Sequence, residues 1–422
     1  MKTQDVASET SPKKQKFLGD RGLVLLIAFL SAFIPLSTDL YLPALPRMVE
    51  NLRASAALVN LTLIAFFVFY AIGTLFWGPM SDKYGRKRVL LAGLVLYTLA
   101  SMLCAIAGNV YQLILFRILQ AVGSGAATAV ATAMVKDVYS GKKRESILAL
   151  VQSMAMISPI VAPIIGAFIL RITSWRGVFI ALAVIGLLAM TGGLLMEETI
   201  GRRYTGSILQ SIGRLGVVAK NKGFTSLLLT FSMMSIPSMA FISASSYIYV
   251  DGFGLDEQTY SLYFAANAFF LVLGPLLYIR ISRSIKSSSL ITISYVISGL
   301  SGLLICVLGN VNPWLFAVSL LPATIAGSVI RPPSSNLMLE QVQEDIGSAS
   351  SLMSCGFTFM SSMGMLLISF NWTNRTLVLG VMYVVLSVIS LALWRSLSQK
   401  PFVLAVPQSV ETINECIPAE DL

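Results

Sequence analysis

The sequence predicts an all-α membrane protein with twelve transmembrane helices in two six-helix halves. Three observations predict it. First, 56% of the 422 residues are hydrophobic and only 12% are charged, with a mean hydropathy of +0.79, whereas a soluble domain carries roughly 25% charged residues. Second, the apolar runs last about 20 residues without two-residue alternation, the signature of spanning helices and not of barrel strands. Third, the basic residues segregate by side. With the N-terminus placed inside, and charges at span edges counted with their loops, 23 of the 30 Lys and Arg fall in the inner segments and five in the outer ones. Two arginines remain inside spans. This is the positive-inside asymmetry, and it accounts for most of the net charge of +10. Because the basic residues are scattered over short loops, no nucleic-acid partner is expected.

In chain order, a polar cytoplasmic tail (1–21) precedes the first six spans, 22–44, 57–79, 89–107, 111–135, 147–170 and 175–196, which make the N-terminal half (22–196). A hydrophilic stretch, 197–222, follows as a cytoplasmic linker. Its Ile208, Ile212, Leu215 and Ala219 fall at helical spacing beside Arg214 and Lys220, a pattern for a short helix on the inner membrane surface. The C-terminal half (223–395) holds spans 223–248, 258–280, 289–309, 313–338, 347–370 and 374–395, and 396–422 form a second cytoplasmic tail. The first span lacks a following small-residue cleavage site and reads as retained. The resulting location is the inner (cytoplasmic) membrane, multi-pass, with both termini cytoplasmic.

The halves echo each other. "WGPMSDKYGRKRV" (Trp77–Val89) closes the second span and "LGPLLYIRISRSI" (Leu273–Ile285) the eighth, so Gly78-Pro79 and Gly274-Pro275 stand in equivalent places. The second copy has Tyr278 for Asp82 and Ile281 for Gly85. A decayed repeat in matching positions of two halves points to a transporter with its substrate site near the bilayer midplane. Several chemistries are excluded. The chain has no histidine, its four cysteines (Cys104, Cys306, Cys355, Cys416) have no metal-site spacing, and no nucleotide-binding loop is present. No enzyme activity, cofactor or metal is implied.

Four motifs carry a resemblance. "GPMSDKYGRK" supplies Gly78, Asp82, Gly85, Arg86 and Lys87; "RILQAVGSG" supplies Arg117, Gln120 and Gly123; "SPIVAPIIGAFI" supplies Pro159, Pro163 and Gly166; "STDLYLPALP" supplies Asp39, Tyr41, Pro43 and Pro46. Over roughly residues 20–397 the chain resembles the major facilitator superfamily (MFS) and, within it, the Bcr/CflA-like drug–proton antiporters. Departures are Ala121 in the second motif, and Ala162 and Ala167 in the third, where the family favours glycine. The resemblance implies that the first motif is a conformational latch on the cytoplasmic face. It also implies that Pro159, Pro163 and Gly166 form the antiporter motif. The residues themselves suggest Arg117 for proton coupling, since an arginine within a span needs a partner, and Gln120 for substrate binding.

Of 20 acidic residues, Asp39 alone lies inside a span, which makes it the candidate proton carrier. Burial and a neighbouring arginine pull a carboxyl's charge in opposite directions, so the expected cycle pairs ionised Asp39 with Arg117 or with substrate until a proton arrives. A purely structural Asp39–Arg117 pair is the alternative. Arg331, in "SVIRPPSSN", is expected to be the second buried cation, as substrate ligand, carbonyl partner or gate. With Asp39, Tyr41 and Gln120 it completes the candidate substrate-binding set. Two arginines against one acid weakly favour neutral, zwitterionic or anionic substrates over lipophilic cations. Met and Ser enrich the seventh and eleventh spans, in a pattern that suits either a permissive site or ordinary packing. The expected function is proton-coupled efflux of small amphipathic compounds by a monomer, with only substrate, protons and lipid as partners. Export of one specific metabolite, such as an amino-acid derivative or siderophore, and a transporter-like sensor are the alternatives.

Overall fold

The computed structural model describes residues 15–200, 216–282, 284–342 and 346–400. Most of the expected surface helix in the linker, Arg283, and Cys416 in the tail lie outside the described residues. Every regular element described is helical. We label the long segments α1 (Gly19–Asn51), α2 (Ala56–Tyr84), α3 (Arg86–Ala105), α4 (Val110–Val138), α5 (Gly141–Ile172) and α6 (Trp175–Leu195). They continue as α7 (Lys222–Gly252), α8 (Glu257–Ile281), α9 (Ser287–Leu308), α10 (Pro313–Glu340), α11 (Ile346–Ile368) and α12 (Arg375–Leu397). Among the described residues, eleven helices are long and apolar enough to cross a membrane. The fifth expected span, 147–170, lies on α5, of which Ile157–Ile172 is described as an apolar helix.

Local chemistry sets the helix starts. Ser55, Asn109, Asn221, Asn312 and Asn374 each accept a backbone N–H three residues on, covering donors that the first turn leaves unpaired. Prolines and glycines set the interruptions. α1 pauses at Ala32 and again at Leu40–Ala44, where Pro43 opens a 3-10 turn, and then stays helical to Asn51. The first span therefore runs past its expected end at residue 44. α7 ends in a π-helical segment, Tyr247–Gly252. α10 carries a turn at Ile330, just before Pro332 and Pro333.

The chain forms two compact units. One holds α1–α6 together with Phe241–Phe269 and Met365–Thr373, which are the end of α7, the start of α8 and the end of α11. The other holds the start of α7, most of α8, all of α9, α10 and α12, and α11 up to Gly364. In the first unit α4 packs closely on α3, because Gly123 lies against the Gly93 carbonyl and the Tyr97 backbone where no Cβ fits. In the second, Gly274 faces Ser328 of α10 at similarly close range, whereas its sequence counterpart Gly78 faces open space. The repeated Gly-Pro therefore serves helix packing in one half only.

Candidate functional site

Asp39 sits where α1 breaks, is 7% exposed, and accepts a 2.9 Å hydrogen bond from the Thr38 hydroxyl. Among the described residues no basic side chain forms an ion pair with it. The expected Asp39–Arg117 pair is thus absent in this structure, and the reason is geometric. Arg117 donates from Nη1 to the Ser37 carbonyl (3.1 Å) and to Gln120 Oε1 (2.7 Å). Its guanidinium carbon lies 4.2 Å from the Phe66 ring centre and 4.6 Å from that of Tyr41, within cation–π range. Nε and Nη2 have no hydrogen-bond partner among the described residues. Rings rather than a carboxylate surround the cation.

The expected substrate ligands divide accordingly. Gln120 is fully buried and spends its amide on Arg117 and on Ser101 Oγ (2.7 Å). Tyr41 is fully buried with its hydroxyl 2.8 Å from Thr62. Both serve as internal positioning contacts in this structure. Arg331 differs from the expected buried cation: it is exposed, and its side chain makes no ion pair or hydrogen bond among the described residues. The methionines do not share one environment, since Met234 and Met365 are buried while Met363 is exposed.

The loop motif is built around one turn. Gly85 is the single residue linking α2 to α3, with φ of 103°, a region that disfavours side chains. Arg86 folds back to bond Ser81 Oγ and Asp82 (both 2.5 Å) and reaches Asp137 of α4 at 2.8 Å. Its backbone N–H donates to Glu198 Oε1 at 2.8 Å, placing an acid at the start of α3 where the helix dipole favours one. Lys87 Nζ caps the Leu194 carbonyl (2.7 Å). Sequence reading missed Asp137 and Glu198. The available signal was an acid just past the expected ends of α4 and α6, on the same side as the basic loop.

In α5 the Pro163 carbonyl accepts from Ser261 of α8 (3.1 Å), and a Cβ on Gly166 would overlap the Leu40 carbonyl beside Asp39. Pro159 lies one turn earlier, half-buried within α5. The first turn of α8 adds two more ties, and α2 makes a third to the residue after α11. Glu257 pairs with Arg47 at 2.5 Å, Gln258 donates to the Ala167 carbonyl (3.5 Å), and Asn60 of α2 donates to Ser369 at the end of α11 (3.0 Å). Neither Arg47 nor Glu257 was singled out in the sequence, because 210 residues separate them.

The chain is similar to known proteins in sequence and in fold. The family model "Major Facilitator Superfamily" matches residues 27–365. Similar chains include an uncharacterized MFS-type transporter of Bacillus subtilis, YdgK, 29% identical over 88% of this chain and 94% of that one. A bicyclomycin resistance protein homolog of Haemophilus influenzae is 25% identical over 87% and 94%. A chloramphenicol resistance protein of Pseudomonas aeruginosa is 36% identical over 37% and 38%. Among solved structures, a D-xylose–proton symporter superposes with a TM-score of 0.72 at 13% identity, covering 87% of this chain and 96% of that one. A peptide transporter bound to sulfate superposes with a TM-score of 0.72 at 14% identity over 92% and 97%.

Proposed function

Because the chain belongs to the major facilitator superfamily, a membrane transporter family, we propose that it exports small amphipathic compounds from the cell by proton-driven alternating access. Resistance proteins among its relatives support the efflux direction and the substrate class. The orientation is N- and C-termini cytoplasmic in the inner membrane, argued from the segregation of Lys and Arg. The working unit is a monomer.

One observation carries the coupling step: Asp39, the lone acid of the spans expected from the sequence, is buried, and no described cation neutralises it. An ionised carboxylate in a dry interior is costly, and a proton removes that cost. Proton arrival therefore biases which arrangement of α1 is stable. Leu40, next to Asp39, bears directly on Gly166 of α5, and α5 is tied to α8 through Ser261. A change at the α1 break thus reaches the α8 turn through two contacts. Asp82, Arg86 and their partners form the latch of the cytoplasmic face. Arg117, Gln120 and Tyr41 hold the α1 break in place, and Arg331 contacts substrate.

The energies suffice. One charge crossing 100 mV gains about 2.3 kcal/mol and one pH unit adds about 1.4 kcal/mol. One proton then drives a roughly few-hundred-fold gradient of a neutral solute.

The test uses proteoliposomes with an imposed pH gradient and a drug-susceptibility panel that includes chloramphenicol and bicyclomycin. Asp39→Asn is expected to lose uphill export and substrate-induced proton release while keeping downhill exchange. Asp39→Glu is expected to keep some activity with a shifted pH optimum. Uphill accumulation by the Asn variant, still sensitive to collapse of the proton gradient, would overturn the coupling role.

A further inference from the structure

We propose that Arg331 is the anchor for an anionic group, a carboxylate or sulfonate, on the transported compound. The inference deepens the exporter reading and rests on it. It starts from an oddity of placement. Arg331 lies nine residues before the end of α10 at Glu340, about 13 Å along the axis, too far in for an ordinary interfacial charge. Yet it is exposed.

Exposure inside a span means either lipid or water. A guanidinium at the centre of a lipid-facing helix costs about 2.5–3.5 kcal/mol by insertion scales. The helical wheel argues against that face. At about 100° per residue, Arg331 stands about 140° from Val318 and about 100° from Trp314, and those two are the large exposed apolar residues of α10. Within about 40° of Arg331 lie Leu320, Thr324 and Met338, all buried, with Gly327 and Ser335. Burial of those three puts Arg331 on the side of α10 that meets protein, away from the lipid-facing pair. Gly327, one turn away, has nothing within 4 Å of where a Cβ would be. Ser328, which meets Gly274 of α8, lies about 60° from Arg331, between it and the exposed apolar pair, so packed protein and not lipid borders this side of the arginine. Arg331 thus stays exposed on a protein-facing side, beside the open space at Gly327, as a group lining a gap between helices would.

The guanidinium is also unspent. No acid pairs with it among the described residues, and the nearest on its own helix, Glu340, accepts from Asn336 at 2.8 Å. Arg117 offers a control within the same chain, since its charge is enclosed by rings and its Nη1 donates to Ser37 and Gln120. A free, permanently charged fork of donors matches a carboxylate or sulfonate in two-point geometry. It repels a cation.

The experiment uses three probes sharing one fluorophore: dansylglycine (anionic), dansylglycinamide (neutral) and dansylethylenediamine (cationic). Binding to the purified full chain is read by fluorescence and export is read in proteoliposomes. The wild type should favour dansylglycine over the other two. Arg331→Gln should lose roughly tenfold or more of the anion's affinity, the scale of a charge-assisted hydrogen bond, and change the neutral probe's affinity less than threefold. Arg331→Lys should retain part of the preference. Equal loss for all three probes, no preference in the wild type, or no binding of any probe would overturn the proposal. The two readings fail differently. Charge-selective binding without export would sink the exporter reading and keep the anion site. Export without charge discrimination would do the reverse.

Discussion

Two arginines lie within the spans, and their surroundings are opposite. Arg117 is fully buried, bonded to Ser37 and Gln120 and flanked by the Tyr41 and Phe66 rings. Arg331 is exposed beside the open space at Gly327, with no described partner. The same side chain is an internal brace in one place and an unused binding group in the other. Exposure, and the bonds that Arg117 Nη1 makes to Ser37 and Gln120, distinguish them. The same contrast appears in the glycines beside them. A Cβ on Gly166 would strike the Leu40 carbonyl, while a Cβ on Gly327 meets nothing.

Substitutions can break or sharpen this contrast. The largest effect on stability is expected at Arg117. Arg117→Met strips donors from the buried Ser37 carbonyl and Gln120, at a cost of about 2–4 kcal/mol. Arg331→Gln should stay within about 0.5 kcal/mol of the parent. Thermal unfolding of the purified chain compares them, and equal shifts in Tm would erase the distinction.

Next come the glycines. Gly166→Ala overpacks the α1–α5 contact and should cost about 1–3 kcal/mol, with transport slowed. Gly327→Ala should be neutral or slightly stabilising, because alanine favours the helix by up to about 1 kcal/mol. A stable, fully active Gly166→Ala variant would show that α1 can yield there.

The smallest effect is expected at the Arg47–Glu257 pair. Arg47 is 43% exposed along its side chain, and such pairs contribute about 0–1 kcal/mol. Glu257→Gln should shift the distance distribution between labels on the α1–α2 loop and on α8 towards longer values by no more than a few-fold in population. An unchanged distribution would leave the remaining ties of α8, through Gln258 and Ser261, as the ones that hold this turn.

The legible part of this molecule was whatever is local in the chain. Hydropathy marked stretches that coincide with eleven long apolar helices among the described residues, with ends differing by up to seven residues, and the first motif holds the turn at Gly85. Asp39 stood out by being the lone acid inside a span. Pairings over long separations were invisible. Nothing in the spacing joins Arg47 to Glu257, Arg86 to Asp137 and Glu198, or Arg117 to rings on three other helices, Tyr41, Phe66 and Phe179. The expectation that Arg117 faces Asp39 came from seeking the nearest opposite charge, whereas the guanidinium took a carbonyl, an amide and aromatic faces. Side-chain exposure was equally hidden, because a helix's polar face turns towards water only once its neighbours are placed. Arg331 is the case in point.

The joint between α2 and α3 has a further meaning, one of length. A single residue, Gly85, separates the two helices, so the chain has no slack there. Two long rods on so short a tether cannot slide past one another along their axes. Arg86 tightens the joint by gripping Ser81 and Asp82 across it. Any motion of the second helix must therefore be delivered to the third as a tilt about one point, and through Asp137 to the fourth. Lengthening the tether by even a few residues would uncouple these rods while leaving each of them intact, which makes this joint the least tolerant place in the first half for an inserted tag.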